Sequence, residues 1–119
     1  MNVNFIVRIT NEDVDANIIS IYLISDDGQS FYAEFNDFLV DKCSNYIINT
    51  FVNNLRFNDL NEYINEEDKY VKVYKSDYKK ISLKLSEWLK QYNNISFVGN
   101  KETFCWYHFL KIISKQKRT

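Results

Sequence analysis

The stretch from Ile18 to Phe35, IISIYLISDDGQSFYAEF, decides the fold. Two runs rich in β-branched and aromatic residues, Ile18 to Ile24 and Ser30 to Phe35, flank the polar segment Ser25-Asp26-Asp27-Gly28-Gln29. Asp-Gly between two such runs predicts a hairpin, because Gly28 tolerates the positive φ that a tight turn demands. Upstream, residues 3 to 9 alternate, with Val3, Phe5, Val7 and Ile9 on one side and Asn4, Ile6 and Arg8 on the other. That period of two predicts a strand, so the first three elements form an antiparallel meander.

Beyond this stretch the period changes. Val40, Cys43, Ile47, Ile48, Phe51, Val52 and Leu55 recur at helical spacing and predict one amphipathic helix, capped by Asp37 or Asp41. The acidic segment Asn58 to Asp68 reads as a loop or a short helical turn, and Tyr70 to Tyr74 as a brief strand. Ser76 is the expected cap of a second helix whose apolar face carries Tyr78, Ile81, Leu85, Trp88, Leu89 and Tyr92. Ile95 to Val98 reads as a buried strand released by Gly99-Asn100, and a last helix carries Cys105, His108, Phe109, Ile112 and Ile113 on one side. The expectation is one α/β domain over residues 1–119, with about three helices. Three antiparallel strands are followed by helix–strand units that extend the sheet in parallel, the layout of a ribonuclease H-like mixed sheet.

Composition bounds the function classes. The chain has 119 residues with 45% apolar content, enough for one core without staples. No run approaches a membrane span, and the first residues lack the basic-then-apolar pattern of a signal peptide, which predicts a cytoplasmic protein. Cys43 and Cys105 have no metal-ligand spacing and are expected as reduced core thiols. The net charge of −1 hides a segregation by position. Up to Asp68 thirteen acids face three bases, net −10; from Lys69 onward twelve bases face three acids, net +9. Such halves either offer opposite fields to different partners, pair in a charge-matched homodimer, or neutralise each other inside the packed domain.

IISIYLISDDGQSFYAEFND (Ile18 to Asp37) resembles the second and third strands of the small 3′-5′ exoribonuclease-like family of the DEDD superfamily. The resemblance continues through YIINTFVNNL (Tyr46 to Leu55) and ISLKLSEWLKQY (Ile81 to Tyr92), and less closely through ISFVGNKETFCWYHF (Ile95 to Phe109). It implies a two-metal phosphodiesterase scaffold whose ions are held by four carboxylates. Two of these belong to an Asp-Thr-Glu-Phe motif on the first strand, where this chain has Ile6-Val7-Arg8-Ile9. The third belongs to a Ser-Asp motif, where Gly99-Asn100 stands, and the fourth to a closing motif beyond Thr119. At an effective dielectric of about 20, a cation roughly 4 Å from a divalent ion costs on the order of 8 kcal/mol where a carboxylate would attract. The resemblance therefore implies a disabled scaffold without cofactor, not an enzyme.

Other chemistries fare no better on the sequence. His108 with Cys105 three residues earlier has the reach of a dyad, but no orienting group or oxyanion nest accompanies it, and a packed histidine is expected. Misaligned metal ligands would require Asp13, Asp15, Asp37 and Glu102 to converge. The first expectation for function is therefore a non-catalytic inhibitor that binds a protein, such as a phage or mobile-element anti-defence (anti-CRISPR-like) protein acting on a defence nuclease. Its partner-binding acidic face would comprise Glu62, Glu66, Glu67 and Asp68. The alternative is nucleic-acid binding without cleavage through Lys72, Lys75, Lys79, Lys111 and Lys115, with Tyr70, Tyr74 and Tyr78 available for stacking.

Overall fold

The computed structural model describes residues 1–57 and 63–114 and shows an α/β fold built on one six-stranded mixed sheet. The meander forms as expected: β1 (Asn2–Ile9), β2 (Ile18–Ser25) and β3 (Ser30–Phe35) pair antiparallel, and Gly28 turns the hairpin at φ 83°. The remaining strands are β4 (Ile64–Glu67), β5 (Val71–Ser76) and β6 (Ser96–Val98), in the order β4-β5-β3-β2-β1-β6. β5 joins β3 in parallel and β6 joins β1 in parallel, so the parallel additions flank the meander on opposite sides.

One face of the sheet is covered by α2 (Tyr78–Leu89) and α3 (Phe104–Ser114), after α1 (Asn45–Ile47) has crossed to the other. Val3, Phe5, Val7 and Ile9 of β1 meet Ile21 and Leu23 of β2 and Phe31, Ala33 and Phe35 of β3 there, all buried. Ile81, Leu85 and Trp88 of α2 and Phe109 and Ile112 of α3 close the core, with Phe5 stacked on Phe109 at 5.1 Å. Alternation thus sorts β1 as the sequence predicted, odd positions inward and even positions outward.

Four expectations are corrected. The continuous helix over Val40 to Leu55 is broken into a 3₁₀ turn (Val40–Lys42), extended Cys43, the short α1 and a π-helical turn (Ile48–Val52). Ser44 restarts the helix by accepting from the Ile47 N–H, and the Asn54 side chain takes the carbonyls of Asn49 and Thr50, so local polar groups compete with one regular helix. Val40, Cys43, Ile47 and Val52 still pack against the core. The caps also shift: Asp77, not Ser76, accepts from the Lys80 N–H, and Asp37 accepts from the Tyr78 N–H at the start of α2 rather than capping α1. Within the acidic segment, Ile64–Glu67 is a strand, formed by pairing with β5 against its own weak propensity. Finally, β6 is a short edge strand in which only Phe97 turns toward the core, while Ser96 and Val98 are exposed.

Candidate functional site

The second face of the sheet reads as three rows, fixed by strand register. The first is Val98, Asn4, Ile24, Ser30 and Val71; the second is Ile6, Tyr22, Tyr32, Val73 and Glu66; the third is Arg8, Ser20, Glu34, Lys75 and Ile64. Side chains directly opposite one another in register share a face, so each row crosses five strands, about 19 Å.

The third row is charged, yet its centre is closed. Glu34 and Lys75 are both fully buried and form an ion pair at 3.2 Å. The Glu34 carboxylate also accepts from the backbone N–H groups of Arg56 (2.6 Å) and Phe57 (3.2 Å) and from the Tyr32 hydroxyl. Lys75 Nζ donates in addition to the Phe57 carbonyl at 3.3 Å. Two buried charges would be costly unpaired; here they lash the chain after α1 across the sheet. Burial, reinforced by the adjacent Glu34 carboxylate, pushes the Tyr32 phenol well above its ordinary pKa. At the end of the row the Arg8 guanidinium stacks 4.5 Å over the Phe51 ring.

The first and second rows interleave exposed apolar side chains with polar Asn4, Ser30 and Glu66, and only Val73 among their apolar members is buried. Ile6 is 49% exposed, Val98 and Val71 44%, Tyr22 39% and Ile24 38%, with Tyr22 and Tyr32 in edge contact at 6.3 Å. Between β1, the turn after α1 and the start of α3 this open end deepens into a groove of about 690 Å³, bordered by Ile6, Arg8, Ile47, Phe51, Thr103 and Cys105. Burial raises the Cys105 thiol above its usual range, which keeps it protonated and a poor nucleophile.

The residues singled out from sequence are scattered by the fold. Glu66 and Glu67 are neighbours on β4 and therefore point to opposite faces; Glu67 is drawn to Lys84 on α2 at 3.0 Å, which lowers its pKa. Asp68 lies in the β4–β5 turn, where its carbonyl accepts from Lys72. Lys75 leaves the cationic run altogether, because its ammonium is spent on Glu34 inside the domain. Lys72, Lys79 and Lys111 stand on β5, α2 and α3. Glu62 and Lys115 lie outside the described residues. Among the described residues both ion pairs between elements, Lys75 with Glu34 and Lys84 with Glu67, join an acid of the first half to a base of the second, which is the internal neutralisation the segregated charge allowed.

His108 is buried, its Nε2 2.8 Å from the Asp13 carbonyl, so that nitrogen donates and ties the β1–β2 loop to α3. Among the described residues no group of three or more His, Cys, Asp or Glu could hold a metal ion, so Asp13, Asp15, Asp37 and Glu102 do not converge. No described helix is long and apolar enough to cross a membrane. The residues that sequence reasoning missed are Ile6, Tyr22 and Ile24. Their signal was present: Ile18 to Ile24 is apolar on both phases of its alternation, as in a strand covered on both faces. A scan against protein-family models finds no match, and neither does a search of curated proteins.

Proposed function

We propose that this protein works by binding another protein, without turnover, through the exposed apolar side chains of the sheet's second face. The observation that carries the reading is the exposed set Ile6, Tyr22 and Ile24 on neighbouring β1 and β2, with exposed Val98 beyond Asn4 and Val71 beyond Ser30, on a face whose charged centre is covered by the protein's own chain. Exposed apolar side chains clustered like Ile6, Tyr22 and Ile24 suit a contact site. It is rigid because the strands beneath it are held from the other side by α2 and α3.

The reading includes an inhibitor of the anti-defence kind, on a ribonuclease H-like scaffold that has lost its metal ligands. What supports the scaffold is the antiparallel meander followed by β6 in parallel beside β1; the placement of β5 beside β3, at the opposite side of the meander, speaks for a more distant relation. What supports binding over catalysis is Arg8 on the first strand, stacked on Phe51 where a nucleolytic relative would present an acid. Nucleic-acid binding has less support, since Lys75 is buried and the other described lysines of that set stand on three separate elements.

The test is affinity capture from host lysate with the native chain and with the double variant Tyr22→Lys/Ile24→Lys. A stoichiometric protein recovered by the native chain and reduced at least tenfold by the variant is the expected result. Equal recovery by both would remove the face from the function. Light scattering at two salt concentrations distinguishes a further outcome: a dimer that the double variant dissolves would make the partner a second copy.

A further inference from the structure

We infer that the free edge of β1 is a strand-addition site, which takes an extended, apolar segment of the protein partner as a new strand in line with β6. The inference deepens the function proposed above and rests on it for the class of partner. β6 pairs only with Asn2 to Asn4 and ends at Val98. From Ile6 to Ile9, β1 therefore has β2 on one side and the groove on the other.

The direction of the backbone groups follows from the ladder. The Asp26 N–H donates to the Asn2 carbonyl and the Thr10 N–H to the Asn17 carbonyl, so even-numbered residues of β1 face β2. The Ser96 N–H donates to the Met1 carbonyl, so odd-numbered residues face β6. The Val7 N–H and C=O consequently point past the end of β6 into the groove, where no described backbone group pairs with them. A backbone donor and acceptor left side by side at the floor of an apolar groove are complementary to one thing above all, another extended backbone. Alternate side chains of that segment would lie against Ile47 and Phe51 on one wall and Thr103 and Cys105 on the other. Arg8 at the rim has no carboxylate within ion-pair distance among the described residues, and favours an acidic residue flanking the apolar stretch. At about 3.3 Å per residue, the open run from Ile6 to Ile9 accommodates a strand of roughly four or five residues.

The experiment begins with a phage-displayed random dodecapeptide library selected on the 119-residue chain, the enriched peptide then serving as the probe. In the free protein the Val7 amide should exchange at least tenfold faster than the Ile6 and Arg8 amides, which bond to β2. The bound peptide should slow Val7 exchange at least tenfold. Val7→Pro, which removes the groove-facing donor without removing a β1–β2 bond, should weaken peptide binding at least tenfold. If circular dichroism shows that variant unfolded, Thr103→Arg, which fills the groove from its rim, takes its place, and Val7 exchange in the unaltered chain decides. No enriched peptide, or a bound peptide that leaves the Val7 amide unprotected, overturns the inference. A peptide lost in Tyr22→Lys/Ile24→Lys but indifferent at Val7 overturns the edge while upholding the face; the converse upholds the edge alone.

Discussion

The two ends of the sheet's second face are arranged against simple expectation. Where the face carries Glu34 and Lys75 it is shut, and where it carries Ile6, Tyr22, Ile24 and Val98 it is open. Burying charge is costly and exposing apolar surface forgoes stabilisation, so a chain selected only for stability would reverse the two. The covered end makes sense as a clasp that anchors the irregular segment after α1, and the open end as surface kept for a partner. The comparison is breakable, because it assigns a large stability role to one end and a small one to the other.

The largest expected effect is at the clasp. Lys75→Met keeps most of the side-chain volume but leaves the Glu34 carboxylate buried without its cation, and should cost about 3–5 kcal/mol in urea denaturation. The double variant Glu34→Gln/Lys75→Met should recover at least half of that loss. A single-variant cost below about 1 kcal/mol would mean that the pair is incidental and that the contrast between the two ends is not one of anchoring against contact.

A smaller effect is expected at the edge where the open rows meet β6. A Cβ on Gly99 would come within 2.7 Å of Phe5 Cε1 and 2.8 Å of the Phe5 carbonyl oxygen. The ring could turn, but the carbonyl belongs to the sheet, so Gly99→Ala should cost about 1–3 kcal/mol by thermal or chemical unfolding. The larger part of that cost should come from loosening β6 from β1, seen as faster exchange of the Val98 amide. An unchanged stability would show that β6 yields easily, and would weaken the view of the open rows as a rigid platform.

How much of this was legible in the sequence depended on whether local pattern or tertiary pairing decided each element. The meander was legible because alternation in β1 and the Asp-Gly turn are local signals, and α2 and α3 because their apolar stripes are long. β4 was not, since Ile-Asn-Glu-Glu has no strand signature and gains its conformation from β5. Nor was the break at Cys43 and Ser44, where a stripe with helical spacing is cut by a side-chain cap. At the candidate site, Ile6 and the two-sided apolar run of β2 were visible as residues but not as a surface, because register alone sets Ile6 beside Tyr22 and brings Val98 and Val71 into the row of Ile24. The Glu34 and Lys75 pair is separated by 41 positions, and Lys75 among so many lysines looked like any solvated one.

The smallest effect concerns alkaline pH and sorts the tyrosines between the two ends. Burial, with added repulsion from Glu67 and Glu87, pushes the Tyr74 phenol up to about 12, and Tyr32 and Tyr78 are shifted in the same direction mainly by burial. In the unfolded chain a tyrosine releases its proton near pH 10. Between about pH 10 and 12 the unfolded state therefore holds fewer protons than the folded one, and stability falls as pH rises; the contribution is fully present below pH 10. Urea midpoints measured at several alkaline pH values should decline through this window, and Tyr74→Phe or Tyr32→Phe should each make the decline shallower. Tyr32 is the sharper test, because its ring lies against exposed Tyr22 while its hydroxyl belongs to the Glu34 clasp. If tyrosinate absorbance shows Tyr32 ionising near pH 10 in the folded protein, the closed end reaches less far across the face than the contact with Glu34 implies.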